Sequence, residues 1–372
     1  MGNVIHRGIG LELVQSGRVE SNGVRHMVTR DGRRVTITDV ASHARVSTTA
    51  VSKVLRNAYG VSEAMRVKVQ AAIDELGYRP QAAARAMRGR TFTFGVVLPH
   101  IRNPFFADIL DGLDEQIAGA GYQAIIVQGS GRDTEAEVRA IDALVDRQVD
   151  GILVVAPVIA RVRLEEMARN TPTVVLGRHD RSAVYDSVLD DDEAGAELAV
   201  EHLIALGHRR IAHITQKDVG SVRSVTLLHT IRARTYERVM AEHGLAGHVA
   251  LAATSYTEEG GHQGARELLA RSPRPTAIFA GADQAAFGVL AAVHEAGLAV
   301  PGDVSVVGYD NARAAGLSHI SLTSVDQDGV IMGKTAGRLL LERIEGRTTA
   351  VRFSVTPTLV TRRSTAPPPA PA

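Results

Sequence analysis

The sequence predicts a small all-α head followed by a larger α/β receptor of doubly wound parallel sheets. Three observations predict it. Residues 35–57 read as two short amphipathic helices joined by a tight turn. From residue 93 onward, eight short and nearly all-apolar runs alternate with helix-length segments. Charge is also unevenly divided: between Arg30 and Arg90 twelve Lys and Arg stand against five acids, a net +7, and the chain total of +1 leaves −6 for everything else. A basic head on an acidic body is the electrostatic footprint of a polyanion-binding module joined to a second unit.

Composition sets the outer limits. A chain of 372 residues exceeds what one core organises and implies two or three domains. The absence of cysteine excludes disulfides, thiolate catalysis and Cys-ligated zinc. No apolar run reaches the roughly eighteen residues of a spanning helix. The first residues are broken by His6, Arg7, Gly8, Gly10 and Glu12, which is not a signal-peptide pattern. A cytoplasmic protein without membrane contact is therefore expected. Residues 1–34 show no periodicity and read as a disordered N-terminal extension.

In the head, Thr36 and Asp39 form a capping signature, and Ile37, Val40, Ala41 and Ala44 recur on one helical face. Ser47 can cap a second helix, which turns Val51, Val54 and Leu55 inward and Thr48, Thr49, Ser52 and Lys53 outward. A short helix with a small, polar and cationic outer face can enter a major groove and touch base edges. Ser62 caps a third helix with the stripe Met65, Val69, Ala72, Ile73 and Leu76, and Gly77 supplies its stop. Tyr78-Arg79-Pro80 and an Ala-rich stretch to Gly89 follow.

On TDVASHARVSTTAVSKVLRN, VSEAMRVKVQAAIDELGYRP and AAARAMRG, the chain resembles the lac repressor family of bacterial transcription regulators, and the similarity continues to about Thr365. The resemblance implies a helix–turn–helix DNA-binding domain over 35–79 and a hinge helix over 80–91. It further implies a two-lobed, periplasmic-binding-protein-like effector-binding and dimerisation domain over 92–365. Residues 366–372, APPPAPA, read as a disordered Pro-rich tail. By resemblance Thr48, Thr49 and Lys53 read bases, while Thr36, Ser47, Ser52 and Asn57 contact phosphates. Thr36 and Ser47 could equally be helix caps only. By the same resemblance, Ala84 and Met87 of the hinge are expected to face the minor groove. Met87 stands where the family usually has a wedging Leu, and simple dimer packing is the alternative. A homodimer on a pseudo-palindromic double-stranded operator follows. Arg45 departs from the family's usual Gly; if the turn needs a positive φ, it costs about 1–2 kcal/mol.

In the receptor, FGVVLP, QAIIVQ, DGILVVAP, TPTVVLG, RRIAHIT, VALAAT, TAIFAG and DVSVVGYD are buried-strand patterns of a parallel sheet covered on both faces. Eight units exceed one ordinary sheet, so two lobes are expected. The first spans about 93–180 plus a helix at 328–345; the second spans about 181–320 plus a last strand at 353–360. Ligands of open α/β sheets sit beyond the carboxyl ends of strands. That places Asn103, Phe105, Phe106, Arg178, Asp283 and Asp310 at the cleft, with capping as the alternative for Asn103 and the two aspartates, and core packing for the phenylalanines. Arg232 is placed there by resemblance: it sits in LLHTIRARTYERVM, which is similar to the family's cleft-lining arginine segment, although Thr235 replaces its usual Gly. Arg232, Asp283 and Asp310 offer one planar donor fork and two acceptors, suited to a sugar, sugar acid or polyol. Ala282 stands where the family often has Asn, and Tyr256 lies one residue past the position where some members place an aromatic platform. With no Trp, a stacked purine fits less well.

His202, His208 and His213 have no metal-ligand spacing, and neither a phosphate loop nor a nucleophile–base arrangement is present. No metal, no cofactor and no catalysis are expected. The expected function is a ligand-responsive transcriptional regulator, most simply a repressor. A solute-binding protein of the same fold is the alternative, and a βα-fold enzyme would leave residues 35–89 unexplained.

Overall fold

The computed structural model describes residues 35–55, 59–78, 89–129, 133–217 and 226–370. The chain divides into two compact units, a head and a receptor. The extension 1–34, most of the hinge, and the site residues Asn57, Ala84 and Met87 lie outside the described residues.

The head consists of α1 (Ile37–His43), α2 (Thr48–Leu55) and α3 (Glu63–Leu76). Val40, Ala41, Ala44, Val51, Val69, Ala72 and Ile73 bury together with Tyr78. Thr36 caps α1 in a reciprocal box with Asp39. Gly77, at φ 58°, closes α3, its N–H reaching back to the Asp74 and Ile73 carbonyls.

The receptor holds two six-stranded sheets. Its strands are β1 (Thr93–Leu98), β2 (Gln123–Gln128), β3 (Gly151–Val155), β4 (Thr173–Leu176), β5 (Asp186–Asp190), β6 (Ile211–Gln216), β7 (Ala250–Thr254), β8 (Ala277–Ala280), β9 (Ser305–Tyr309), β10 (Thr323–Asp326), β11 (Arg352–Val355) and β12 (Thr358–Val360). The first lobe's order is β11-β5-β4-β3-β1-β2 and the second's is β12-β10-β9-β8-β6-β7. Every pairing is parallel except that of β10 with β12. Helices cover both faces of each sheet with apolar clusters.

Two boundaries differ from the sequence expectation. β5 belongs to the first lobe, beside β4, although residues from 181 onward were assigned to the second. Its sequence DSVLD is fully buried, yet polar at both ends, so it lacks the apolar run that marks its neighbours. Burial is possible because Asp186 accepts from the guanidinium groups of Arg343 and Arg347 and from the Val351 N–H. The single last strand expected over 353–360 is two strands, one in each lobe. Pro357 lies between them and has no N–H to donate to a ladder. The chain thus crosses between lobes at residues 190–192, 326–329 and 355–358. The expected loose tail also begins with an anchored residue: the Ala366 carbonyl accepts from His208 and Ser305, and its N–H donates to Ser305 Oγ.

Candidate effector cavity and DNA-reading face

On the head, Thr48, Thr49 and Lys53 are exposed on the outer side of α2, Ser52 is half-buried, and Val51 is buried on the opposite side. Ser47 Oγ accepts from the Ala50 N–H at 3.1 Å. The Thr36 hydroxyl accepts from the Asp39 N–H and donates to Asp39 Oδ2, as a cap of α1. Arg45 has φ 51°, in the left-handed region that a β-carbon disfavours. Arg45→Gly should therefore raise the unfolding free energy of the head by about 1 kcal/mol, read as an upward shift of its thermal midpoint. An unchanged or lower midpoint would show that the arginine side chain offsets the strain.

In the receptor, a cavity of about 550 Å³ is lined from both lobes. Of the seven effector candidates, Asn103, Phe105, Phe106, Arg232 and Asp310 line it. Asn103 precedes the helix Phe105–Ile117, and its Oδ1 accepts from the Phe105 N–H at 3.0 Å. Its Nδ2 faces Asp310 Oδ2 across the cavity at 3.4 Å. The other oxygen of Asp310 accepts from Gln327 Nε2 at 2.6 Å, from the second crossing segment. Asp310 has φ 119°, which non-glycine residues rarely adopt, and its N–H is tied to the Val325 carbonyl at 2.8 Å. Such strain persists where surrounding structure over-determines it and is concentrated at functional sites.

Arg232 lies 3% exposed on the helix Leu228–Glu242. Its Nε donates to Asp192 Oδ1 at 2.5 Å and its Nη1 to the Gly281 carbonyl at 2.7 Å. The guanidinium carbon sits 3.5 Å from the centre of the Tyr309 ring. Asp192, fully buried, also meets His179 Nε2 at 2.6 Å. Burial opposes its ionisation, but Arg232 and His179 outweigh that and hold its carboxyl below the usual range. Asp190 is pushed up by burial and then by the charge of Asp192; it accepts from the Tyr309 hydroxyl. Burial likewise pushes Asp310 up against the opposing pull of Arg232.

Arg178 and Asp283 do not line the cavity. Arg178 Nε binds Asp180 Oδ2 at 2.6 Å and its Nη1 donates to the Ile159 carbonyl, which pins the loop after β3 within the first lobe. Asp283 is fully buried; it accepts from Ser324 Oγ at 2.6 Å and from the Ala312 N–H at 2.8 Å. It ties the start of the helix Asp283–Glu295 to β10 and to the segment that follows β9. Both residues satisfy the rule of position after a strand, yet their side chains turn into their own lobes.

The cavity recruits residues that strand-end reasoning missed. Asp190 ends β5, the strand with no apolar signature. Gln327 occupies a crossing segment. Tyr256 and Ser255 both line the wall, because the chain leaves β7 at Thr254 and no longer alternates. Gln284 follows Asp283 by one residue and turns inward where Asp283 does not. Among the described residues no helix is long and apolar enough to cross a membrane, and no group of His, Asp and Glu could hold a metal ion.

Comparison with known proteins agrees with this geometry. Residues 36–81 match the family described as bacterial regulatory proteins, lacI family, and residues 200–365 match a periplasmic binding protein-like domain. The HTH-type transcriptional repressor PurR of Photobacterium profundum is 34% identical over 88% of this chain and 98% of its own. Catabolite control protein A of Priestia megaterium is 34% identical over 84% of this chain and 94% of its own. Among solved structures, the lac repressor dimer bound to operator and the anti-inducer ONPF superposes with a TM-score of 0.76 at 27% identity, covering 89% of this chain and 99% of that one. The transcriptional regulator CelR–cellobiose complex gives 0.64 at 30% identity, covering 89% and 100%. With a helix–turn–helix head, a two-lobed receptor and relatives aligned along nearly their whole length, the chain belongs to the lacI family of bacterial regulatory proteins.

Proposed function

We propose that this transcriptional regulator is a repressor acting in the cytoplasm, which binds a pseudo-palindromic operator as a homodimer and whose grip is set by a sugar, sugar acid or polyol in the interlobe cavity. The observation that carries the reading is the pair Asn103–Asp310, which meets across the cavity from the two lobes. A ligand that hydrogen-bonds both partners changes the free energy of lobe closure. Coupling of about 1–3 kcal/mol, typical between linked sites, corresponds to a 5–150-fold change in operator affinity. The lac repressor dimer on its operator and the CelR complex with cellobiose support each half of the reading by likeness. Dimerisation is supported by Ile125 and Ile126 on β2, an end strand of the first sheet, which are 39% and 46% exposed.

The test is selection of duplexes from a random pool by the purified protein, followed by titration of the selected site with small metabolites. A dyad-symmetric site whose affinity responds to a ligand supports the proposal; no preference over random DNA at moderate salt removes it. Within that site, Lys53→Ala should lose about 1–3 kcal/mol of specific binding and relax preference at one base pair in each half-site. Equal loss on specific and random duplexes would move base reading away from Lys53.

A further inference from the structure

The polar groups of the cavity are unequal in sign and in occupancy. Its carboxylates are Asp190, Asp310 and, at the rim, Glu259; its arginines are Arg232 and the rim residue Arg102. The two rim charges face each other at 3.5 Å, both largely exposed. Deeper in, the Arg232 charge is already matched by Asp192 at 2.5 Å. The interior therefore holds Asp190 and Asp310 in excess of any unmatched arginine. One further acceptor stands out. Gln284 is 7% exposed and lines the cavity, yet its Oε1 is buried with no hydrogen-bond partner among the described residues. A buried acceptor without a donor costs about 1–3 kcal/mol, so in a folded protein it points to a partner that arrives from outside. Beside it Ala282 is also at the wall and offers only a methyl group.

We infer that Gln284 is the specificity-determining residue of this cavity and that the effector is an uncharged, hydroxyl-rich molecule, a neutral sugar or polyol rather than its acid or its phosphate ester. The inference rests on the cavity being an effector site. A hydroxyl of such a ligand donates to Gln284 Oε1 and others donate to the carboxyl groups of Asp310 and Asp190. An anionic group brings only acceptors to a cavity whose charged side chains are in acidic excess, and entering this low-dielectric site beside Asp190 and Asp310 is unfavourable for it. Carbohydrate hydroxyls also leave apolar C–H faces for Phe105, Phe106 and Tyr256, which share the wall.

The experiment uses the full chain. An equimolar mixture of neutral aldoses, disaccharides and alditols with the matching aldonates, uronates and sugar phosphates is incubated with it, and bound species are identified by native mass spectrometry. Titration calorimetry then follows on each hit and its charged counterpart. The expected result is a neutral ligand that binds at least tenfold more tightly than its acid or phosphate, and Gln284→Met should weaken that ligand about tenfold or more. Tighter binding of an acid or phosphate overturns the inference while leaving the effector cavity intact. Capture of no member overturns both. Unchanged affinity in folded Gln284→Met, with the neutral preference retained, removes Gln284 from the role.

Discussion

Arg232→Met is expected to lower the stability of the receptor by about 3–5 kcal/mol near neutral pH, and to lower it less in acid. The guanidinium is 3% exposed and Asp192 is fully buried, so removing the cation leaves a carboxylate in the interior with His179 as its remaining ionic partner. In the intact protein the Asp192 pKa lies below its ordinary value. A depressed carboxyl contributes stability above its unfolded pKa, and that contribution is lost as pH falls through the folded value. Without Arg232 the leading influence is burial, which raises the pKa. The sign then reverses: the site is least costly when protonated and destabilises as pH rises through the raised value. The gap between the two proteins should therefore widen from pH 5 to pH 7.5. Circular dichroism during urea unfolding measures it, since the chain has no Trp. The double variant Arg232→Met/Asp192→Asn should recover part of the loss, because it no longer buries a lone charge. A loss equal at both pH values, or no recovery in the double variant, would mean that the arginine stabilises through packing on Tyr309 and not through its charge.

That pair also shows how far the sequence could be read. Arg232 was legible because it lies in a segment that resembles the family, and Asp310 because it follows an all-apolar strand. Asp192, which pairs with the buried Arg232 charge, was not, since a buried ion pair forty residues apart in sequence leaves no local pattern. The head was legible almost residue by residue: caps, stripes and the glycine stop are local chemistry, and even the strain at Arg45 could be stated as a condition on φ. The lobes were legible where strands are apolar runs. Reading failed where burial is made tolerable by distant partners, as in β5, whose Asp186 is held by arginines more than 150 residues away. It failed again at Arg178 and Asp283, because position after a strand fixes where a residue sits and not which way its side chain turns.

Gly333→Ala should destabilise the receptor by about 3 kcal/mol, at the upper end of what overpacking by one methyl group costs. In the helix Gly329–Ile344 the glycines Gly329, Gly333 and Gly337 recur every fourth residue and form one stripe. That stripe runs alongside the helix Phe105–Ile117 in the same direction: Gly329 meets Phe105 and Asp108, Gly333 meets Ile109 and Leu113, and Gly337 meets Gln116 and Ile117. Glycine inside a helix is about 1 kcal/mol worse than alanine, so close approach is the reason for its presence. A β-carbon on Gly333 would lie 2.0 Å from the Ile109 carbonyl oxygen, a backbone atom that cannot turn aside. On Gly337 it would lie 3.0 Å from Gln116 Cβ, a tight contact with a side-chain carbon that a small shift of the helices relieves. Gly337→Ala is therefore the matched control, expected to change stability by less than about 1 kcal/mol in either direction. The consequence reaches the cavity because both helices begin there. Asn103 precedes one and Gln327 precedes the other, and they bond the two oxygens of Asp310. Forcing the helices apart at Gly333 separates those donors, so Gly333→Ala should weaken effector binding as well as folding, while Gly337→Ala leaves binding intact. Equal midpoints for the two variants in thermal unfolding would refute backbone-to-backbone contact as the reason for the stripe, and unchanged effector affinity in a folded Gly333→Ala would uncouple it from the cavity.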